Sequence, residues 1–282
     1  MLNIKDIVFL ENRSVIAISG DDRKAFLQGL ITNNISKVSS KEAIFSAFLS
    51  PQGKFLYDFF IIENGEKLYL ETDKNRASEL IKRLLTYRLR AKVEIVELPE
   101  LGVAVEIEKL GILEIDNSIK YKDPRLPELG HRIIFPISQF PNFSISNSTL
   151  YEQHRYSLGI PEGATDLVQN KSLPMEFHYD KLNAIDFNKG CYVGQEVTAR
   201  SKHRATLHKQ MFSVKSDNIN LPPNGTIIMN GEREVGQMAG SFENAGLAVI
   251  NIDAVNSGAS LKAGGIDIKA FKPYWIEHGM EN

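Results

Sequence analysis

The residue best suited to do chemistry in this 282-residue chain is its only cysteine, Cys191. It lies in the run Lys189-Gly190-Cys191-Tyr192-Val193-Gly194-Gln195-Glu196. A single thiol cannot form a disulfide within the chain or supply a multi-thiolate metal site by itself. The thiolate is the reactive form of cysteine, and nearby cations favour it. Five basic residues lie close in sequence, namely Lys189, Arg200, Lys202, His203 and Arg204. The pattern therefore predicts a thiolate at neutral pH.

A structural interpretation of the same cysteine is equally open at this point. Free cysteine is usually buried and inert, so Cys191 could be a small apolar residue in a glycine-bounded turn. Gly190 and Gly194 have no Cβ atoms and allow unusual dihedrals or close approach of a ligand. A metal site is not predicted, because the six histidines and the cysteine do not have zinc-ligand spacing. His203 and His208 could only contribute to a site completed elsewhere.

The motif at 189–196 resembles the signature of the YgfZ-type folate-binding proteins. These are relatives of the glycine-cleavage T-protein (aminomethyltransferase) that assist iron–sulfur enzymes. A match of eight residues that includes the cysteine is much more specific than a lone glycine-rich loop. The resemblance spans about residues 14–205. Its other segments are Gly20-Asp21-Asp22, Phe26-Leu27-Gln28-Gly29, Thr32-Asn33, Ser50-Pro51-Gln52-Gly53-Lys54 and Leu158-Gly159-Ile160-Pro161.

The resemblance implies a tetrahydrofolate-binding accessory protein that supports assembly or repair of iron–sulfur enzymes, including those that modify tRNA. Its expected partners are a folate and, transiently, iron–sulfur enzymes or cluster-assembly proteins. A lone thiol cannot hold a cluster unaided. Cys191 could still ligate one exposed iron of a partner's cluster, or exchange with a partner's thiol. No permanently bound metal, no direct nucleic-acid contact and no membrane are expected.

The resemblance also suggests folate contacts. A pterin presents a ring N–H beside an exocyclic amine, and one carboxylate can accept both donors. In the T-protein a glutamate just after a proline does this, and Glu176 in Pro174-Met175-Glu176 stands in the matching place. The other predicted contacts are Asp58, Lys189, Tyr192, Gln195 and Arg200, and Arg88 and Arg90 are further cations for the folate tail. The cations could bind the carboxylates of the tail, and Tyr192 could stack on the ring. Each could equally be an ordinary surface or core residue.

One departure from the T-protein bears on enzymatic activity. That family carries two adjacent carboxylates in its second hairpin strand, whereas this chain reads Tyr57-Asp58. The T-protein pattern also has no cysteine at the position of Cys191. Both differences favour an accessory role over ordinary aminomethyl transfer. The alternative is a tetrahydrofolate-dependent aminomethyltransferase of glycine-cleavage type with Asp58 as acid/base residue, so enzymatic activity is left open. A folate-binding module whose motif is purely structural is a third hypothesis.

Composition places the chain among ordinary globular proteins. Hydrophobic residues make up 43% and charged residues 24%, and the net charge is −2. This balance gives no general attraction to nucleic acid or to an acidic membrane. A single cysteine argues against an oxidising compartment, and the first 20 residues resemble neither a signal peptide nor a transit peptide. Composition and cysteine content therefore predict a cytoplasmic protein.

Apolar periodicity predicts an α+β fold. Residues 15–18 read as a strand, Asp22 as the N-cap of the next helix, and Asp73 as the cap of a helix with Leu80, Ile81, Leu84 and Leu85 on its apolar face. After Thr206, dense Gly and Pro turns between short apolar segments predict a small β-barrel. The resemblance implies two intertwined ferredoxin-like α+β units plus this barrel, as in the three-domain T-protein. The predicted domains are 1–200, with internal boundaries near 40–50 and 98–100, and 205–282.

Overall fold

The structure is a computed structural model that describes residues 7–107, 115–139, 148–203, 207–217, 219–258 and 260–277. The apolar residues of the segment 112–115 also predict a strand, and residues 112–114 lie outside these ranges. The strands are β1 (Ile7–Phe9), β2 (Arg13–Ser19), β3 (Ile44–Leu49), β4 (Phe55–Asn64), β5 (Lys67–Asp73), β6 (Glu94–Glu97), β7 (Leu101–Glu106), β8 (Ile119–Lys122), β9 (His131–Pro136), β10 (Lys209–Lys215), β11 (Ile227–Asn230), β12 (Arg233–Phe242), β13 (Ala245–Asn251), β14 (Leu261–Ala263) and β15 (Ile266–Phe271). The helices are α1 (Arg23–Gln28), α2 (Lys74–Arg88), α3 (Thr149–Leu158), α4 (Gly163–Asp166), α5 (Gln195–His203), α6 (Ile252–Asn256) and α7 (Tyr274–Glu277), and short 3₁₀ turns cover Ile35–Lys37, Pro127–Leu129, Ile137–Gln139 and Pro174–Phe177.

The strands form two open sheets and a closed barrel. One sheet has the order β3-β4-β5-β2-β6, the other has the order β1-β7-β9-β8, and the barrel runs β10-β13-β12-β11-β14-β15. The chain divides into two compact units. Unit 1 comprises residues 1–49, 56–151 and 182–193, and unit 2 comprises residues 50–55, 152–181 and 194–282. The chain therefore passes from one unit to the other five times.

Helix α2 covers the five-stranded sheet of unit 1. Ala77, Leu80 and Leu84 recur at helical spacing and are fully buried in the same apolar cluster as strand residues such as Ile16. The predicted cap is confirmed, since the Asp73 carboxylate accepts a hydrogen bond from the Asn75 amide at 3.0 Å. The prediction that Leu85 lies on the apolar face is wrong, because its side chain is 41% exposed. The buried face of α2 is therefore narrower than its leucine content suggests.

Unit 1 contains a cluster of charged side chains that are buried and paired with one another. The Glu71 carboxylate accepts hydrogen bonds from Arg13 Nε at 2.9 Å, Arg132 Nε at 2.8 Å and the Tyr121 hydroxyl at 2.7 Å. Burial would raise the pKa of Glu71, but the guanidiniums of Arg132 and Arg13 outweigh it and lower that pKa to about 2. The Arg132 guanidinium also lies 4.1 Å from the centre of the Phe60 ring. Glu71 is therefore held as a carboxylate by its paired cations.

Unit 2 contains the barrel and the segments around α3, α4 and α5. Its own buried ion pair joins Arg155 Nη1 to Asp166 Oδ2 at 2.6 Å, and the Tyr156 hydroxyl donates to Asp166 Oδ1 at 2.8 Å. Gly240 of β12 lies directly against this pair, since a Cβ there would be 2.2 Å from Asp166 Oδ1. The pair therefore needs a glycine in the barrel wall.

The predicted fold class is confirmed: the chain is α+β with a C-terminal six-stranded barrel. The predicted domain boundaries stay a prediction. Within the described ranges, no helix is long and apolar enough to cross a membrane.

Candidate functional site

The segment that carries the cysteine is anchored within unit 1. Its residues 183–193 lie against residues 28–33 and exchange several hydrogen bonds with them. The Thr32 hydroxyl donates to the Ala184 carbonyl at 2.6 Å, and the side-chain Nδ2 of Asn33 donates to the Asn183 carbonyl at 2.6 Å. The Asp186 amide donates to the Thr32 carbonyl at 3.0 Å, and the Val193 amide donates to the Gly29 carbonyl at 3.3 Å. Bonds at both ends fix the path of the intervening motif.

Lys189 supplies the centre of this anchor. Its Nζ donates to the carbonyls of Gln28 at 2.7 Å, Ile31 at 2.6 Å and Asn33 at 2.8 Å. Burial lowers the pKa of Lys189 to about 8, against the opposing effect of Asp186. An ammonium has three donors, and all three are used here. Since none is left for a folate carboxylate, we no longer expect the predicted contact between Lys189 and folate.

Cys191 is exposed, whereas the side chains on either side of it in the motif are not. Lys189 is 7% exposed and Tyr192 is 8% exposed, and the Lys189 ammonium lies 5.1 Å from the centre of the Tyr192 ring. The fold therefore buries the neighbours and presents the thiol. The structural interpretation of Cys191 as a buried apolar residue is wrong.

The cations that motivated a reactive thiolate are only partly described. The Lys189 ammonium is bound to carbonyls, and Arg200 pairs with Glu196 at 2.6 Å across one turn of α5. The side chains of Lys202 and His203, and all of Arg204, lie outside the described residues. Lys189 and Arg200 are therefore engaged with groups other than the thiol, and the reactive thiolate stays a prediction.

The remaining predicted folate residues divide between the two units. Asp58 and Tyr192 belong to unit 1, whereas Glu176, Gln195 and Arg200 belong to unit 2. Asp58 lies on β4, is 7% exposed, and its backbone carbonyl accepts a hydrogen bond from the Thr72 hydroxyl at 3.0 Å. A common pocket walled by these residues stays a prediction.

Glu176 lines a cleft within unit 2. The cleft has a volume of about 220 Å³ and lies beside the 3₁₀ turn that holds Glu176. Burial raises the pKa of Glu176, while a backbone hydrogen bond from Leu173 and the charges of Lys54 and Lys209 oppose this shift. The lining residues are Asp166, Val168, Lys171, Ser172, Glu176, Phe177, Asn224, Gln237, Met238, Ala239 and Val249. A half-buried carboxylate with apolar neighbours suits a flat ligand that presents hydrogen-bond donors.

Sequence reasoning missed the cleft itself. Its wall combines residues 166–177 with barrel residues 224–249, and local sequence patterns do not show which segments will meet. In the described part of the chain, no three or more His, Cys, Asp or Glu side chains are grouped so that they could hold a metal ion.

Comparison with solved structures supports the fold. The chain is similar to a glycine cleavage system aminomethyltransferase T from Bartonella henselae, with a TM-score of 0.74, and the match covers 96% of this chain and 86% of the other. The sequences are 12% identical, so this likeness concerns the fold alone. The predicted T-protein-like architecture is confirmed.

Comparison with known sequences corrects one prediction. Relatives from Pyricularia oryzae and Homo sapiens are named as mitochondrial proteins, with 29% and 30% identity to this chain. The prediction of a cytoplasmic protein is therefore wrong.

The same relatives establish the family. The Pyricularia oryzae match covers 96% of this chain and 85% of that protein, and the human match covers 90% and 80%. Both are named iron–sulfur cluster assembly factor IBA57, the first as a homolog. Residues 208–278 match the family model for the CAF17 C-terminal β-barrel domain. The predicted resemblance is thus confirmed for iron–sulfur assembly factors with a T-protein-like fold, although not for YgfZ itself. The chain belongs to the family of the iron–sulfur cluster assembly factor IBA57.

Proposed function

We propose that this protein is a tetrahydrofolate-binding factor for assembly or repair of iron–sulfur enzymes, including enzymes that modify tRNA, with Cys191 as its functional thiol. The observation that carries the proposal is the exposure of Cys191 on a segment whose neighbouring side chains are buried. An exposed thiol on an anchored backbone can meet a partner without first unfolding. Family membership supplies the process in which this thiol would act.

Two reactions are open to such a thiol. Cys191 could release its proton to solvent and, as a thiolate, bind one iron of a partner's cluster. A weaker ligand of that iron would leave, and no electron would be transferred. It could instead attack a partner's disulfide, which forms a mixed disulfide and releases the other sulfur as a thiolate. Both reactions need an accessible sulfur, and neither needs a cluster that is permanently bound to this chain.

Glu176 and its cleft support the folate part of the proposal. The Glu176 carboxylate would accept the paired N–H donors of the pterin, and Phe177 and Met238 would supply apolar contact to the ring. The half-buried position suits this, because a hydrogen bond shielded from water is worth more than an exposed one. Tyr192, Gln195 and Arg200 remain proposed contacts, whereas Lys189 does not.

Calorimetric titration with tetrahydrofolate tests the pocket. The Glu176→Gln substitution keeps the size of the side chain but replaces one acceptor oxygen by an amide NH2 group, which is itself a donor and would face the donors of the pterin. We expect affinity to fall by about 1.5–3 kcal/mol, which is roughly 10- to 150-fold. Glu66→Gln, at an exposed glutamate, is the control and should bind like the wild type. Absence of binding to the wild type, or equal affinity of Glu176→Gln, would remove the folate claim.

A second pair of variants separates the accessory role from aminomethyl transfer. If the protein works through its thiol, Cys191→Ser should abolish support of iron–sulfur enzymes, and Asp58→Asn should retain it where its fold persists. The reverse result would favour an aminomethyltransferase with Asp58 as acid/base residue. Circular dichroism of both variants shows whether the fold has survived.

A further inference from the structure

The end of helix α2 and the turn after it, residues 82–92, form a surface that we call the basic tip. It carries five cations, and no Asp or Glu occurs between Glu79 and Glu94. All five side chains are exposed, and in the described part of the chain none of them takes part in an ion pair. The cations are Lys82, Arg83, Arg88, Arg90 and Lys92. In a chain of net charge −2, this is a concentrated positive patch.

Two leucines lie among these cations. Leu85 is 41% exposed and Leu89 is 88% exposed. Lys82 and Leu85 are three residues apart on the exposed face of α2, and Leu89 directly follows Arg88, the last residue of the helix. A single exposed leucine needs no explanation, but a pair ringed by charge has the composition of a docking surface, apolar at its centre and polar at its rim.

The backbone at Leu89 is strained. Its φ of 45° and ψ of −107° lie in a region that residues with a side chain rarely adopt. Such a conformation costs on the order of 1–3 kcal/mol and persists only where its surroundings impose it. Strained residues of this kind cluster at functional sites, so the strain is a second and independent indication of function.

Contacts on both sides of Leu89 anchor the basic tip. On the helix side, the Tyr87 ring packs edge-on against Phe48 with ring centres 5.6 Å apart. On the strand side, the Lys92 amide donates to Asp22 Oδ2 at 2.7 Å. The Lys92 carbonyl also lies where a Cβ at Gly20 would be 2.1 Å away, so Gly20 permits this close approach. The backbone on both sides of Leu89 is thus anchored, which lowers the entropy cost of ordering this turn when a partner binds.

The chemistry of the tip favours a protein over other ligands. Single-stranded nucleic acid is bound by aromatic side chains that stack on bases, and the exposed apolar residues here are leucines. The helix dipole explains a cation at Arg88, the last helical residue, but not Arg90 and Lys92 beyond the helix. A folate tail is too small to engage five cations and two leucines together. An acidic protein face with an apolar recess matches both components.

We propose that the basic tip docks an acidic face of a protein that carries or receives an iron–sulfur cluster, with Leu85 and Leu89 entering an apolar recess. The identity of the partner class rests on the proposed function. Clusters ligated by four thiolates add negative charge to the protein that holds them, because the thiolates outweigh the charge of the iron–sulfide core. Opposite charges would steer the encounter, and the leucines would hold the complex once formed.

Photo-crosslinking in cells tests the surface with the full chain. Benzoylphenylalanine is placed at position 89, and at the exposed Ile219 of the other unit as the control position. We expect an adduct at position 89 with an acidic iron–sulfur or cluster-assembly protein. Arg88→Glu/Arg90→Glu should reduce it about tenfold or more, because reversed rim charges slow association. Lys67→Glu/Arg233→Glu, with the same change of net charge at exposed sites, should leave it intact. No adduct, an adduct with lipid, nucleic acid or a second copy of this chain, or insensitivity to charge reversal would overturn the proposal.

Complementation separates failure of this inference from failure of the proposed function. In a strain that lacks the protein, Arg88→Glu/Arg90→Glu should support iron–sulfur enzyme activity about tenfold less well than the wild type, as expected for loss of charge steering. Its affinity for tetrahydrofolate is measured in parallel, and a loss of that affinity would assign Arg88 and Arg90 to the folate tail and overturn the docking inference. If Cys191→Ser complements fully, the proposed function fails. If Cys191→Ser fails to complement while the charge-reversed variant complements fully, the docking inference alone fails.

Discussion

Removal of the Lys189 ammonium should destabilise the motif segment more than any exposed lysine substitution. Lys189→Met keeps the aliphatic stem but deletes the donor shared by three carbonyls. The carbonyl of Gln28 is partly accessible and can bind water, whereas those of Ile31 and Asn33 belong to buried residues. Two buried acceptors would thus lose their partner in the variant.

The magnitude follows from these two acceptors. Each unsatisfied buried carbonyl costs about 1–3 kcal/mol. Part of this is recovered, because the variant no longer desolvates an ammonium. We expect a net loss of about 2–4 kcal/mol in the local free energy of unfolding.

Hydrogen exchange followed by mass spectrometry measures this directly. A loss of about 2–4 kcal/mol corresponds to roughly 30- to 1,000-fold faster exchange of amides in residues 27–35 and 183–193. Lys67→Met, at an exposed position, is the control and should change exchange by less than about 0.5 kcal/mol.

Lys189→Arg tests whether geometry or charge matters. A planar guanidinium cannot aim three donors at three converging carbonyls as a compact ammonium does, so arginine should not restore protection. If Lys189→Arg exchanges like the wild type, or Lys189→Met exchanges like Lys67→Met, the three-carbonyl anchor is not what holds the motif.

Three further outcomes are expected. Glu71→Gln should destabilise unit 1 by about 3–5 kcal/mol in denaturant titrations, since Arg13 and Arg132 would then be buried without their shared counter-charge. The folded-state pKa of Glu71 is lowered to about 2, so its contribution to stability is complete above the ordinary value of 4.5 and is lost as pH falls towards 2. Wild-type stability should therefore decline over that window, and a slope that is unchanged in Glu71→Gln would contradict the assignment. Gly240→Ala should lower the free energy of unfolding of unit 2 by about 1–3 kcal/mol in thermal denaturation, because the added Cβ would clash with Asp166. Gly29→Ala, with open space around it, should leave that free energy nearly unchanged.

Local patterns were sufficient for the regular elements. Asp73 was recognised as a cap because its side chain can reach an amide two residues on, and Leu80 and Leu84 were recognised as core by their spacing. Asp22 shows where such reasoning stops. It occupies the N-cap position of α1, yet its carboxylate accepts from the Lys92 amide instead of capping the helix. A partner 70 residues away cannot be read from local spacing.

The contacts around the motif depended on such distant partners. The three carbonyls that bind Lys189 lie 156 to 161 residues away in sequence, so the lysine was interpreted as a ligand for folate. Arg13 and Arg132 likewise meet Glu71 from 58 and 61 residues away. Cys191 could be singled out without knowledge of packing, because it is the sole cysteine and lies within a specific motif, and its functional role stays a prediction.

Complementation by Cys191→Ser tests whether the thiol of Cys191 is the functional group of this protein. A strain lacking the protein receives the wild type, Cys191→Ser or Ser157→Ala, a conservative change at an exposed hydroxyl, and iron–sulfur enzyme activities are measured in extracts. Serine keeps the size and exposure of residue 191 but removes the sulfur that would bind iron or exchange with a thiol. We expect the wild type and Ser157→Ala to restore activity. Cys191→Ser should not restore it, although this variant should fold and bind tetrahydrofolate like the wild type. Full restoration by Cys191→Ser would show that the sulfur is not needed, and the motif would then be a structural turn.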